Sequence, residues 1–237
     1  MRIATWNCNR AFRRKAEKAL SMDPDILVVQ ECENPDSING KKIGFEFSDW
    51  KWFGDKDSQG VGLFLRKGFK IQEYKWFDPE IKYIRPFRIS CRDLNFVVVP
   101  VWTNNPDSPT FNYIGQVWKW LKKYKSKLYN RNCLILGDFN SNSRWDVADR
   151  WWNHSDVVRI LGDIGIKSLY HEMYDMKQGE ERDYTFYMHR KVNKPYHIDY
   201  IFGSKIFQNT LTNFQIGDYS EWKEYSDHCP IVSDFDI

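Results

Sequence analysis

Residues 225–237 read YSDHCPIVSDFDI and place Asp227 and His228 side by side, directly before an apolar segment of strand length. In an extended segment neighbouring side chains point to opposite faces, so these two polar groups can serve two different partners. A turn before a strand would also explain a Ser-Asp pair, because loops are rich in such residues. The ends of the other apolar segments separate these two interpretations.

Four other apolar segments also carry polar residues near one end. They are segment 2–7 with Asn7, segment 25–31 with Glu31, segment 132–140 with Asp138 and Asn140, and segment 197–203 with Asp199. Charged groups beside apolar runs are costly to desolvate unless they are paired or bind a metal ion. We therefore expect these side chains to converge at one rim, as an acidic cluster with two amides and one imidazole.

This set of residue types indicates metal-assisted hydrolysis of a phosphoester. Oxygen ligands with water describe a Mg²⁺ site, which commonly takes one or two carboxylates plus substrate phosphate. Attack of water on phosphorus also needs an oriented water and donors for the phosphoryl oxygens. His228 is the strong acid–base candidate, and no Ser/His or Cys/His nucleophile pattern accompanies it. Mg²⁺ is the expected cofactor, with Mn²⁺ as its substitute.

Segments of strand length dominate the chain, and a few helices are inserted between them. Helices are predicted at 13–22, 112–128 and 156–165, the second from apolar residues that recur on one side. Strands are predicted at 2–7, 25–31, 50–54, 60–67, 69–77, 87–91, 95–102, 132–140, 183–189, 197–203, 210–217 and 230–237. This order predicts a single α/β (α+β) domain over residues 1–237, with two stacked sheets and helices outside.

Composition narrows the class of protein. A chain of 237 residues with 42% hydrophobic and 28% charged residues can bury a substantial core. The net charge of +3 is weak evidence for a polyanionic partner. Neither a membrane-length apolar run nor a signal-peptide pattern is present, so we expect a cytoplasmic protein without a membrane partner, and a monomer. The five cysteines lack metal-site spacing and are expected to be reduced packing residues.

Five motifs together resemble a known family. TWN (5–7), QE (30–31), GDFN (137–140), HIDYIF (197–202) and SDHCPI (226–231) occur in the order and rough spacing of the endonuclease/exonuclease/phosphatase superfamily. That superfamily includes exonuclease III-like abasic-site endonucleases, deoxyribonuclease I, sphingomyelinases and inositol-polyphosphate phosphatases. The resemblance spans essentially the whole chain. It implies a deoxyribonuclease I-like, four-layer sandwich of two stacked mixed β-sheets flanked by helices.

The resemblance implies that one side of the site binds the metal ion. Glu31 would be the principal Mg²⁺ ligand, and Asn7 would orient the metal shell and the phosphate. Asp227 would face the metal, while His228 would face the phosphate. The adjacent Asp227 and His228 would then point in opposite directions because one serves the cation and the other serves the phosphate.

The resemblance also implies a catalytic side. Asp138 would position or deprotonate the attacking water, and Asn140 would hydrogen-bond the scissile phosphate. Asp199 would pair with His228, which fixes the tautomer of the imidazole and keeps it charged enough to contact a phosphoryl oxygen.

Some positions depart from the abasic-site branch of this superfamily. Asn9 stands where that branch has Asp, Glu33 stands where it has Lys, and Tyr196-His197 replaces Trp-Arg. Trp102 stands where relatives often place Tyr or His, and its indole either donates to the phosphate or packs at the rim. Asn9 and Trp102 are candidate substrate contacts, and the departures leave the substrate open.

The segment after GDFN, residues 141–159, is rich in Trp, Arg and Asn. Trp145, Trp151 and Trp152 could stack on bases of single-stranded nucleic acid. They could instead anchor this connection onto the domain, and packing is the favoured interpretation. Trp145 is kept as a candidate substrate contact.

Three functions remain open from the sequence. The leading one is a Mg²⁺-dependent nuclease that acts on nucleic acid, DNA before RNA. A hydrolase of a small phosphorylated molecule or lipid headgroup is the second, favoured by the modest net charge. An inactive binding module is the third, and it conflicts with the presence of every costly polar group at the site.

Overall fold

The computed structural model describes residues 1–37, 47–105 and 111–237. The strands are β1 (Arg2–Asn7), β2 (Ile26–Cys32), β3 (Phe47–Lys56), β4 (Gln59–Arg66), β5 (Lys70–Glu73), β6 (Phe87–Cys91), β7 (Leu94–Trp102), β8 (Cys133–Asp138), β9 (Lys167–Ser168), β10 (Phe186–Tyr187), β11 (Pro195–Tyr196), β12 (Asp199–Gly203), β13 (Leu211–Ile216) and β14 (Ile231–Phe235). The α-helices are α1 (Ala16–Leu20), α2 (Ile114–Leu128), α3 (His154–Gly162), α4 (Leu169–Tyr174), α5 (Lys205–Thr210) and α6 (Tyr219–Trp222).

These strands form two mixed sheets. Within the described residues the first sheet has the order β13-β14-β1-β2-β4-β3, and the second has the order β5-β6-β7-β8-β12-β9. β1 pairs with β2 in parallel and β7 pairs with β8 in parallel, while the other pairs in these sheets are antiparallel. β10 and β11 form a separate small hairpin.

Apolar side chains alternate between two faces of each central strand, and this alternation makes three hydrophobic layers. Along β2, Ile26 and Val28 enter the layer between the sheets, whereas Leu27 and Val29 face α1 and α6. In the second sheet, Ile135 of β8 points outward to the layer that α2 and α3 cover. The result is a four-layer sandwich, so the predicted fold class is confirmed.

Strand direction brings the polar ends to one rim. β1 and β2 run in parallel, so Asn7 is paired in register with Gln30, immediately before Glu31. β12 runs antiparallel to β8, which places Asp199 opposite Asp138. β14 runs antiparallel to β1, so the residues before it lie beside the end of β1.

The differences from the sequence prediction concern short elements. The predicted strand 69–77 is regular only over Lys70–Glu73, and 183–189 only over Phe186–Tyr187. Helices α4, α5 and α6 have four to six residues. Such lengths are too short for an apolar period to be recognised, and tertiary packing stabilises them.

Two smaller expectations concern cysteines and membranes. All five cysteines are free thiols, and four of them are buried. In the part of the chain that the structure describes, no helix has both the length and the apolar character needed to cross a membrane.

Gly137 allows Asp138 to reach the rim. Its φ of +137° is a conformation that residues with a Cβ rarely adopt. A Cβ at this position would lie 2.0 Å from the carbonyl oxygen of Val101 on the neighbouring strand. Close approach of two backbones therefore requires glycine directly before the catalytic candidate.

We expect Gly137→Ala to lower the free energy of unfolding by at least about 2 kcal/mol, because it combines backbone strain with a clash. Denaturant unfolding measures this loss. Gly162→Ala is the matched control, since a Cβ there meets nothing within 4 Å and alanine favours the helix. Equal stability of the two variants would contradict the close approach.

Candidate active site

Asp138 lies at the centre of the rim and is 1% exposed. Its Oδ2 accepts hydrogen bonds from Nδ2 of Asn7 and from Nδ2 of Asn140, both at 2.9 Å. Its Oδ1 accepts from the backbone N–H of Asn140 at 2.8 Å. These donors come from β1 in one sheet and from the turn after β8 in the other, so the carboxylate joins the two sheets.

His228 and Asp199 form a buried pair beside Asp138. Nδ1–H of His228 donates to Oδ2 of Asp199 at 2.9 Å, which leaves Nε2 directed toward the site. Nε2 is 4.0 Å from Oδ2 of Asp138, too far for a direct hydrogen bond. This N–H can therefore donate to an oxygen of a ligand. The ring of Phe186 packs on the imidazole at 4.6 Å.

The electrostatics of the buried groups favour a charged imidazole. Burial lowers the pKa of His228, but the carboxylates of Asp199 and Asp138 outweigh it and raise that pKa to about 10. Burial, followed by the charge of Asp199, raises the pKa of Asp138 to about 7. At neutral pH the site therefore holds an imidazolium donor beside a carboxylate that can take up a proton.

Glu31 reaches the same rim through a β-bulge. The register of β2 against β4 shifts between Gln30 and Cys32, and Glu31 has a φ of +55°. Its Oε1 accepts from Nδ2 of Asn7 at 3.3 Å, and its Oε2 accepts from Nε2 of Gln59 at 2.9 Å. Unlike Asp138, this carboxylate is partly exposed, with 21% of its side chain accessible.

Asn9 is held against Asp227. Its Nδ2 donates to Oδ1 of Asp227 at 2.8 Å, and its backbone N–H donates to Oδ1 of Asn7 at 3.0 Å. An aspartate at position 9 would bring a second carboxylate to that contact and could not donate. Asn9 therefore pairs with Asp227 as a neutral donor and lowers the negative charge of this side.

The donor set fits a metal ion. Ligand atoms of Asp138, Asp199 and His228 all lie within 4.8 Å of one another, so this acidic and imidazole group could hold a cation. Asp199 and His228 already satisfy each other by a direct hydrogen bond, however. The carboxylate of Glu31 is more accessible, and oxygen ligands of this kind suit a hard divalent cation.

Thr185 and Ser226 support the site and were missed in the sequence. The hydroxyl of Thr185 accepts from the backbone N–H groups of Ile198 and Asp199, both at 3.0 Å. The hydroxyl of Ser226 donates to the carbonyl of Asn7 at 2.7 Å and accepts from the backbone N–H of His228 at 3.0 Å. Their positions in the sequence were the available signal, because Thr185 directly precedes the aromatic residue Phe186 and Ser226 directly precedes Asp227.

The tryptophan candidates lie in different environments. Trp102 is 7% exposed and packs on Tyr83 at 4.6 Å, inside the layer between the sheets. Trp145 is 42% exposed and packs on Tyr196 at 5.2 Å. Trp102 thus lies in the core beside Asp138, whereas Trp145 lies at the surface.

We expect Thr185→Val to lower the free energy of unfolding by about 2 kcal/mol or more, because two buried N–H groups lose their acceptor. Hydrolysis should fall as well, since one of these groups positions Asp199. Thr212→Val is the control at an exposed threonine. Unfolding by denaturant and turnover check both effects, and unchanged values would rule out the positioning role.

The raised pKa of His228 predicts a pH dependence of stability. A group whose pKa is higher in the folded state stabilises the protein fully below its ordinary pKa of 6.5 and loses that effect as pH rises toward 10. The excess stability of the wild type over His228→Gln should therefore shrink between these two pH values. Unfolding curves at several pH values measure it, and a constant difference would contradict the pairing.

Comparisons with known proteins identify the family and the fold of this chain. The model of the Endonuclease/Exonuclease/phosphatase family matches residues 4–228. No curated protein matches the chain. Among solved structures, it is similar to a 3′-5′ exonuclease (NExo) from Neisseria meningitidis, at 21% identity and a TM-score of 0.75, with both chains covered at 100%.

An AP endonuclease from Archaeoglobus fulgidus has 20% identity and a TM-score of 0.73, and a 3′ phosphatase NExo from Neisseria bound to product DNA hairpin has 20% identity and a TM-score of 0.71. Both chains are covered at 100% in each comparison. These likenesses confirm the deoxyribonuclease I-like fold. The chain belongs to the endonuclease/exonuclease/phosphatase family and is a metal-dependent phosphoric ester hydrolase.

Proposed function

We propose that this protein is a Mg²⁺-dependent nuclease that hydrolyses phosphodiester bonds of DNA. The observation that carries the proposal is the placement of His228 Nε2 at 4.0 Å from Asp138 Oδ2, with an imidazolium on one side and a buried carboxylate on the other. The imidazolium suits a phosphate oxygen, which needs a hydrogen-bond donor, and the carboxylate suits a water molecule, which needs an acceptor for its proton. The amides of Asn7 and Asn140 flank the same carboxylate.

The side chains divide the work of hydrolysis between them. Asp138 orients the attacking water and accepts its proton, since its raised pKa of about 7 suits a general base near neutral pH. His228 donates Nε2–H to a phosphoryl oxygen, where negative charge develops during in-line attack. Asp199 holds the imidazole in this orientation. Asn140 donates its two Nδ2 hydrogens within the protein, to Oδ2 of Asp138 and to the carbonyl of Thr103, so its role is to orient Asp138 rather than to bind the phosphate as the sequence predicted.

Glu31, with Asp227 and Asn7, would hold Mg²⁺ on the exposed side of Asp138. When bound, the cation would neutralise negative charge on the phosphoryl oxygens. Gln59 and Asn7 donate to the two carboxylate oxygens of Glu31 and so orient them toward this position. Asp227 is oriented in turn by Asn9. Mn²⁺ would replace Mg²⁺ through the same oxygen ligands.

DNA is supported as the substrate by two observations. The similar solved structures include an exonuclease, an AP endonuclease and a phosphatase bound to a DNA hairpin. The hairpin that carries Phe186 against His228 also ends in an exposed basic tip with Arg190, Lys191 and Lys194. Cations next to the site suit the phosphate backbone of a nucleic acid.

A panel of substrates tests the proposal. It contains plasmid DNA, single-stranded and abasic-site oligonucleotides, RNA and a generic phosphodiester, each with Mg²⁺ or with excess chelator. We expect chelator-sensitive cleavage of DNA that falls as salt rises. Cleavage of the generic ester alone would instead identify a small phosphoester as the substrate class, and an inactive protein would contradict the proposal.

Asp138→Asn should lower turnover by several orders of magnitude and leave DNA binding in chelator largely intact, because the amide cannot accept the proton of water. Asp163→Asn, at an exposed position after α3, is the matched control and should have wild-type turnover. Single-turnover cleavage measures both. Near-normal turnover of Asp138→Asn would remove this residue from the mechanism.

A further inference from the structure

Three exposed apolar side chains follow Asn140 on the connection between β8 and α3. Trp145, Val147 and Trp151 have 42%, 52% and 61% of their surface accessible. We call the two tryptophans of this set, Trp145 and Trp151, the aromatic strip. A patch of exposed apolar side chains is a common feature of binding surfaces, and this connection follows directly on the rim residue Asn140.

A series of ring contacts connects Trp145 to the active site. The ring of His228 lies 4.6 Å from that of Phe186, which lies 6.3 Å from Tyr196 across the small hairpin. Tyr196 then lies 5.2 Å from Trp145. A ligand held at His228 can therefore continue over aromatic surface to the strip.

Hydrogen bonds hold the strip in place before a ligand arrives. The side chain of Asn142 donates to Glu181, to the carbonyl of His197 and to the hydroxyl of Tyr200. At the other end, the side chain of Asn153 donates to the carbonyls of Val147 and Arg150 and accepts from the N–H of Val147. Binding to a connection that is already ordered costs less entropy.

The three tryptophans of this connection separate into two roles. Trp152 packs over Gly115 of α2 and carries Arg150 on its ring at 4.4 Å, so it anchors the connection. Trp151 contacts Trp118 edge to face at 4.8 Å and remains 61% exposed. Trp151 also contacts Phe111 at 5.7 Å, but most of its surface stays accessible to a ligand.

Positive charges border the strip. Arg150, which packs on the ring of Trp152, also donates to the carbonyl of Trp145 at 3.2 Å. Lys122 lies over Trp118, the ring that Trp151 contacts. On the other side, the tip of the hairpin that carries Tyr196 is basic. Aromatic faces with cations beside them suit bases and phosphates together.

We propose that the aromatic strip binds an unpaired stretch of the nucleic acid next to the scissile phosphate, with bases stacked on Trp145 and Trp151. The inference rests on the proposed nuclease function and adds a substrate class, a strand that is single-stranded beside the cleavage site. Bases in a duplex already stack on each other and do not present their faces to a side chain. The strip therefore distinguishes an unpaired strand from a duplex.

Binding of labelled oligodeoxythymidine of about 15 nucleotides, within the span of known single-strand grooves, tests the proposal by fluorescence anisotropy in excess chelator. We expect Trp145→Ala and Trp151→Ala each to raise the Kd by about fivefold to a hundredfold, the loss of one base–aromatic stack. The duplex that this oligodeoxythymidine forms with oligodeoxyadenosine should bind both variants as tightly as it binds the wild type. Trp151→Phe should bind well, whereas Trp151→Leu, which is apolar but not aromatic, should bind as weakly as alanine.

Trp50→Ala is the matched control, because Trp50 is 38% exposed and lies on β3 of the other sheet. Its binding should equal that of the wild type. Equal weakening of single-strand and duplex binding, or unchanged binding of the strip variants, would overturn the stacking role. Wild-type hydrolysis is measured in parallel with Mg²⁺. Absent hydrolysis overturns the nuclease function and this inference with it, whereas hydrolysis with unaffected binding overturns the inference alone.

Discussion

The ionic contact between His228 and Asp199, 2.9 Å long and buried beside Asp138, is the constraint on which the site depends. Burying three ionisable side chains away from solvent is energetically unfavourable unless each of them has hydrogen-bonding or ionic partners. The partners come from distant parts of the chain, namely Asn7 from β1, Asn140 from the turn after β8 and Thr185 from the segment before β10. The buried charges are therefore stabilised only when the two sheets pack in the arrangement that brings these partners together.

Satisfying the buried charges also prepares the chemistry. The same carboxylates that keep His228 protonated make it a donor at neutral pH. The burial that raises the pKa of Asp138 makes that residue a stronger base. Glu31 differs because a β-bulge turns it to the accessible side of the rim, where a hydrated cation can approach. Burial on one side and exposure on the other thus give the rim one buried part, in which pKa values are shifted, and one part that is open to solvent.

Three features surround this rim. Asn9 replaces a carboxylate with an amide that binds Asp227. Glu33 pairs with Arg13 and accepts a hydrogen bond from its backbone N–H, so it supports the chain rather than contacting a phosphate. The connection after Asn140 adds the exposed rings of Trp145 and Trp151.

The sequence by itself determined the layers of the fold and the identity of the polar groups at strand ends. Long apolar strands such as β2 and β7 and the periodic helix α2 were predicted, because their patterns are set by local alternation. The short helices α4, α5 and α6 and the strand β11 were not predicted, since their stability comes from packing. Only the tertiary structure decided that Trp102 lies in the core while Trp145 lies at the surface, and that Thr185 holds Asp199. Burial and hydrogen bonding between residues far apart in the chain depend on how the sheets stack. That arrangement cannot be predicted from the local sequence pattern of any one segment.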